Sequence, residues 1–127
     1  MTEACVTTTT INMIAQTPQP PYYAVIFSSL RTAVDDVEYA EMAEKMEKLA
    51  RQQYGFLGME SARNELGITV SYWKDMDSIK SWKMNADHLF AQRMGQERWY
   101  KYYTTRIALV ERDYAFDNNN NTKYQRE

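Results

Sequence analysis

Residues Gly67–Phe90 read GITVSYWKDMDSIKSWKMNADHLF, and the parsing of this stretch decides the fold. Ile68, Val70 and Tyr72 alternate with Thr69, Ser71 and Trp73, the period-2 pattern of a strand with two distinct faces. Lys74-Asp75 interrupts the alternation. Asp75 or Asp77 can cap a helix there, because a short carboxylate accepts from the free N–H groups of a first helical turn. Apolar residues then recur at helical spacing, at Ile79, Trp82, Ala86 and Leu89. A strand therefore feeds a helix, with an aromatic pair closing the strand and Trp82 opening the buried side of the helix.

Working outward toward the N-terminus, Phe56–Arg63 reads as a strand with Gly58 as a bulge. Asn64–Gly67 supplies a turn, so this strand and the next form a hairpin. Asp35–Gln53 is a helix: Asp35 with Glu38 fits a capping box, and Gly55 follows where a stop is expected. Val37, Ala40, Ala43, Met46, Leu49 and Ala50 make its buried stripe. Glu41–Lys45, Glu44–Lys48 and Glu47–Arg51 are i,i+4 pairs on a solvated outer side. Tyr22–Arg31 is a strand whose two faces, Tyr23-Val25-Phe27 and Tyr22-Ala24-Ile26, are both largely apolar, so both are expected to be covered. Residues 1–20, ending in Pro18-Gln19-Pro20-Pro21, form an N-terminal arm in which Thr7–Ile14 can make an edge strand.

Toward the C-terminus, the helical stretch from Met76 to about Tyr100 is long enough to bend or break, with Asn85 or Asp87 able to cap a second segment. Tyr103–Phe116 is a last strand whose end reaches beyond its own sheet, and residues 117–127 form a polar tail with four consecutive asparagines. The order β-α-β-β-α-β over residues 21–116 predicts an α+β, ferredoxin-like domain: an antiparallel sheet with helices on one face. The other, apolar sheet face then needs a partner, and a second copy in a homodimer is the simplest.

At 127 residues the chain is one domain. A net charge of -2 argues against nucleic acid and anionic membrane as partners. The longest apolar run, Tyr22–Phe27, is too short to span a bilayer. MTEACVTTTT has no basic region followed by an apolar one, so no signal peptide is expected. One cysteine, Cys5, excludes an internal disulfide and suits a reducing cytoplasm. One Cys and one His leave no soft-ligand metal set, and no phosphate-binding glycine loop is present, so no cofactor is expected. The 10 Tyr, 8 Met and 3 Trp supply adaptable apolar surface for a core, a ligand cavity or a subunit interface. Arginines are scattered along the chain.

On an ideal helix Trp82, Ala86 and Leu89 share a face, and Asn85, His88 and Gln92 form a polar stripe beside it. That stripe either rims a cavity between helix and sheet or faces water. Tyr72 and Trp73 point to opposite sides of the sheet, so only one of them lines any one cavity.

Taken together, YYAVIFSSLR, QQYGFLGMESAR, GITVSYW, SIKSW and WYKYYTTRIALVERDYAF resemble the antibiotic biosynthesis monooxygenase family of dimeric ferredoxin-like domains. The resemblance implies a homodimer paired through its sheets, a dimeric α+β barrel. It also implies oxygenation of a small aromatic or polycyclic substrate by O2 with neither metal nor flavin. Trp82, Tyr72 and Phe27 are then the candidates for holding the substrate, and His88 or Asn85 for handling its proton. The alternative is a dimeric ligand-binding or stress-related domain without catalysis. A haem-opening branch of the family uses an Asn on the first strand and a His ten residues after the tryptophan that Trp82 matches. Here the first strand reads VIFSSL, position 92 is Gln92, and His88 is six residues on, so that set is not present.

Overall fold

The computed structural model describes residues 13–93, 95–118 and 122–126, with side chains described for these except 91–96 and 122–126. Cys5 and most of the expected edge strand Thr7–Ile14 lie outside the described residues. The elements run β1 (Tyr22–Arg31), α1 (Asp36–Arg51), β2 (Phe56–Arg63), β3 (Leu66–Trp73), α2 (Met76–Arg93), α3 (Gly95–Trp99), β4 (Tyr100–Val110), β5 (Asp113–Asp117) and β6 (Thr122–Arg126). Four strands form one antiparallel sheet in the order β2-β3-β1-β4, and β5 pairs with β6 in a separate hairpin. This is the ferredoxin-like α+β arrangement, with the helices on one side of the sheet. No helix among the described residues is long and apolar enough to cross a membrane.

The core is built where alternation and helical spacing meet. Val25 of β1, Trp73 of β3, Ala50 of α1 and Ile79 of α2 form a buried cluster, against which Tyr23, Phe56, Met59 and Trp82 pack. Each large apolar side chain buried there contributes roughly 1.5–3 kcal/mol. Trp73 has no exposed surface, and its indole N–H donates to Ser71 Oγ at 2.8 Å, so its polar atom is satisfied in place. The expected bulge is present, as a register shift between Phe56 and Gly58. Asp75 caps α2, its Oδ1 accepting from the Ser78 N–H at 2.8 Å. The long helical stretch is interrupted, α2 ending at Arg93 and α3 starting at Gly95.

Three expectations are corrected. The inner stripe of α1 is Tyr39, Met42, Met46, Leu49 and Ala50, whereas Val37, Ala40 and Ala43 are exposed. Tyr39 and Met42 bury more area than the small alanines, and area decides which side faces the sheet. Asp35 makes no side-chain cap: it sits in the left-handed region at φ 57°, and its carboxylate pairs with Arg98 instead. The last strand is not continuous to Phe116. It stops at Val110, and β5 leaves the sheet to pair with Thr122–Arg126 from the stretch expected to be tail.

The sheet face away from the helices carries Tyr22, Ala24 and Ile26 of β1 beside Ile68, Val70 and Tyr72 of β3. Leu30, Leu66, Ile68 and Tyr102 on this face are exposed. The chain ahead of β1 lies against its edge: the Ala15 N–H donates to Glu60 Oε2 at 2.9 Å, and a Cβ at Gly58 would come within 2.8 Å of Ala15 Cβ.

Candidate functional site

The sheet register sets Arg63 of β2, Gly67 of β3, Ser29 of β1 and Tyr103 of β4 in one row on the helix side. The middle of that row is small, and Ser29 and Gly67 are both buried. Aromatic rings from separate elements gather beside it. Phe27 lies 5.1 Å from Tyr103 and 5.6 Å from Tyr100, centroid to centroid. Tyr100 in turn meets Tyr39 of α1 at 5.7 Å and Phe90 of α2 at 6.1 Å, both edge-on. Edge-to-face pairing aligns ring edges with ring faces and adds to the area buried.

Two guanidiniums flank Tyr39. Arg31 lies over its ring at 3.7 Å, and Arg63 stands 5.8 Å from the same centroid. Arg31 is tied down by three partners: it pairs with Asp36 at 2.9 Å and donates to the Val34 and Trp99 carbonyls at 2.9 and 3.3 Å. Arg63 donates to Ser29 Oγ and, among the described residues, has no carboxylate partner. The Tyr100 hydroxyl donates to that of Tyr39 at 3.3 Å. Burial holds the Tyr100 phenol well above the ordinary tyrosine range, the hydrogen bond to Tyr39 adds to this, and the two guanidiniums only partly offset it. Tyr100 is therefore a neutral hydrogen-bond donor and not a base. Trp99, fully buried and edge-on to Tyr39 at 6.0 Å, has an indole N–H without a partner among the described residues.

The residues expected from sequence are divided by the fold. Phe27 belongs to this cluster. Trp82 is on the same side of the sheet but stacks on Trp73 in the packed core. Tyr72 is on the opposite face, where its hydroxyl donates to Glu60 at 2.7 Å and its ring meets Tyr22 edge-on at 5.7 Å. Burial and the Glu60 carboxylate raise its phenol as well. Tyr72 therefore shares no pocket with Trp82. Asn85 and His88 are exposed on α2, and Asn85 donates to Gln53 Oε1 at 3.2 Å, tying α2 to the chain just after α1. The side chain of Gln92 lies outside the described residues.

The guanidinium–tyrosine cluster went unread because its members come from β1, α1, β2, α2 and β4, and each is unremarkable in its own element. The available signal was the hairpin: Arg63 and Gly67 flank a short turn, so they must face each other. A depression of about 330 Å³ on the outer side of α1, lined by Glu41, Glu44, Lys45 and Lys48, is remote from the rings and balanced in charge. Among the described residues no three His, Cys, Asp or Glu side chains converge as a metal site.

The chain is 46% identical over 113 residues to the uncharacterized protein YqjZ of Bacillus subtilis, covering 87% of this chain and 98% of that one. No protein-family model matches. Among solved structures, SO0527 of Shewanella oneidensis matches with a TM-score of 0.60 at 10% identity, over 76% of this chain and 97% of its own. PA3566 of Pseudomonas aeruginosa matches with a TM-score of 0.57 at 12% identity, over 74% and 96%. A candidate antibiotic biosynthesis monooxygenase from Chloroflexus aurantiacus matches with a TM-score of 0.50 at 12% identity, over 70% and 94%. At these identities the structural matches establish a shared fold.

Proposed function

The chain belongs to the same family as the Bacillus subtilis protein YqjZ, and we propose that it is a cytoplasmic homodimer that binds a small planar aromatic and oxygenates it with O2, using neither metal nor flavin. One observation carries this reading: rings of Phe27, Tyr39, Tyr100 and Tyr103 gather on the helix side of the sheet with the Arg31 and Arg63 guanidiniums beside them. Rings hold a planar substrate by stacking and edge contacts. Guanidiniums stabilise the anion that such a substrate becomes on losing a proton.

The chemistry then belongs to the substrate. An electron-rich phenol or anthrone loses a proton, its anion gives an electron to O2, and the radical pair combines to a peroxide. Loss of water leaves a carbonyl where a CH2 stood, so one oxygen atom enters the product and the other leaves as water. The protein orients the ring, lowers the cost of the anion through its guanidiniums, and offers a developing oxyanion the Tyr39 hydroxyl, which accepts from Tyr100 and keeps its own proton to donate. Proton loss to water suffices when the anion is stabilised in this way. The homodimer is supported by the apolar open face, where Leu30, Leu66, Ile68 and Tyr102 are exposed.

The packing of Trp82 against Trp73 favours a second reading, a binding domain without turnover, because it fills helix–sheet space that a larger substrate would need. Oxygen-electrode assays with anthrone and with hydroxynaphthalenes, run beside calorimetric titration, separate the two. Binding with O2 uptake supports the oxygenase, binding without uptake supports the second reading, and no binding overturns both.

A further inference from the structure

We propose that the ligand of the aromatic site carries a carboxylate beside its ring and that Arg63 is the residue that selects for it. The inference rests on the aromatic-site reading above and adds the charge of the ligand. Arg31, Arg51 and Arg98 are each held by a carboxylate of this chain, to Asp36, Glu47 and Asp35 respectively. Arg63 stands beside the same tyrosine as Arg31, has no such partner among the described residues, and is reachable from solvent. A guanidinium presents five N–H donors in a planar fork that matches a carboxylate. The Ser29 hydroxyl takes part of that fork and leaves the rest for a ligand.

The placement of this guanidinium is built into the sheet. Arg63 starts on the edge strand β2, crosses β3 at Gly67 and reaches Ser29 of β1, two strand spacings or roughly 10 Å away in the backbone. It can do so because residue 67 has no side chain: a Cβ at Gly67 would overlap the Arg63 guanidinium. Ser29 is 2% exposed, so the hydroxyl that orients the guanidinium is fixed by the core. The carboxylate end of a ligand placed on this fork leaves its ring against Tyr39 and Tyr100. The unpartnered Trp99 N–H, beside Tyr39, adds a buried donor at the same end of the sheet.

The test compares 2-naphthoate with its neutral isostere 2-naphthamide by isothermal calorimetry on the full chain near neutral pH. The wild type should bind the carboxylate more tightly by about tenfold or more, the value of a charge-assisted pair. Arg63→Gln should bring the two affinities together. Gly67→Ala should do the same with the charge still present, because the guanidinium is displaced from its seat. Arg63→Lys, which keeps the charge but not the fork, should restore only part of the preference. A preference for naphthoate that survives both Arg63→Gln and Gly67→Ala overturns the assignment, as does a wild type that binds both probes alike. If the amide binds, the aromatic site itself stands; if neither probe binds, the site and this inference fall together.

Discussion

The indole of Trp82 stacks on that of Trp73, with ring centroids 5.9 Å apart and planes inclined by 23°. Trp73 is wholly buried and Trp82 partly so, which makes the pair the join between α2 and β3. Trp82→Ala should destabilise the fold by about 2 kcal/mol, roughly half the cost of deleting a fully buried tryptophan. Trp82→Phe, which keeps a ring in place, should cost less. Urea unfolding read by far-UV circular dichroism measures both.

The cap of α2 gives stability an acid limit. The Asp75 carboxyl is held below the usual aspartate range chiefly by the Ser78 backbone N–H. A carboxylate whose folded value is depressed contributes stability above its unfolded value, about 3.9, and loses it as pH falls through the lower folded value. The urea midpoint should therefore decline on acidification below about pH 4, and Asp75→Asn should flatten that part of the decline. An unchanged slope in the variant would remove Asp75 from the account.

Two glycines should respond in opposite ways to alanine. Gly55 has φ 84°, its carbonyl accepts from the Lys74 N–H at 2.8 Å, and a Cβ there would come within 2.6 Å of Ser78 Cβ. Gly55→Ala should lower stability by more than about 1 kcal/mol. At Gly67 only the end of a flexible side chain is in the way, so Gly67→Ala should leave the thermal midpoint unchanged or slightly raised.

The proposed homodimer uses the face that the helices leave open. Ile68 is exposed there, whereas Val25 is in the core of the helix side. In sedimentation velocity at micromolar concentration the wild type should run at twice the 15.0 kDa chain mass. Ile68→Asp should run as a folded monomer, and Val25→Asp should fail to fold. A folded wild-type monomer would refute the pairing.

His88 and Asn85 supply a direct check on proton handling. Both are exposed on α2, and Asn85 already bonds Gln53. His88→Ala should leave ligand affinity and any turnover within about twofold, whereas a loss on the order of 100-fold would make His88 the general base.

The elements were legible because their signals are local. Strand alternation placed Tyr22–Arg31 and Phe56–Arg63, and the break at Lys74-Asp75 placed the start of α2. What local signals do not carry is which of two apolar faces is inside. Tyr72 and Trp73 are both large amphipathic rings, and only the helices packed above the sheet decide that Trp73 is core and Tyr72 is not. The same limit rotated the reading of α1, where Ala40 and Ala43 keep helical spacing as well as Tyr39 and Met42 do. The aromatic site was less legible still. Arg31, Tyr39, Arg63 and Tyr100 are strangers in sequence: register across β2, β3, β1 and β4 sets the two arginines and Tyr100 on one side of the sheet, and α1 lays Tyr39 over them.

Arg63 and Gly67 face each other across one turn, and neither belongs to the buried cluster that holds the helices on the sheet. The charge that the site offers is thus written in a single hairpin, apart from the residues that maintain the fold. Variation confined to residues 63–67 can change which molecules a lineage admits while its architecture persists. Homologues that differ there are expected to differ in ligand before they differ in shape.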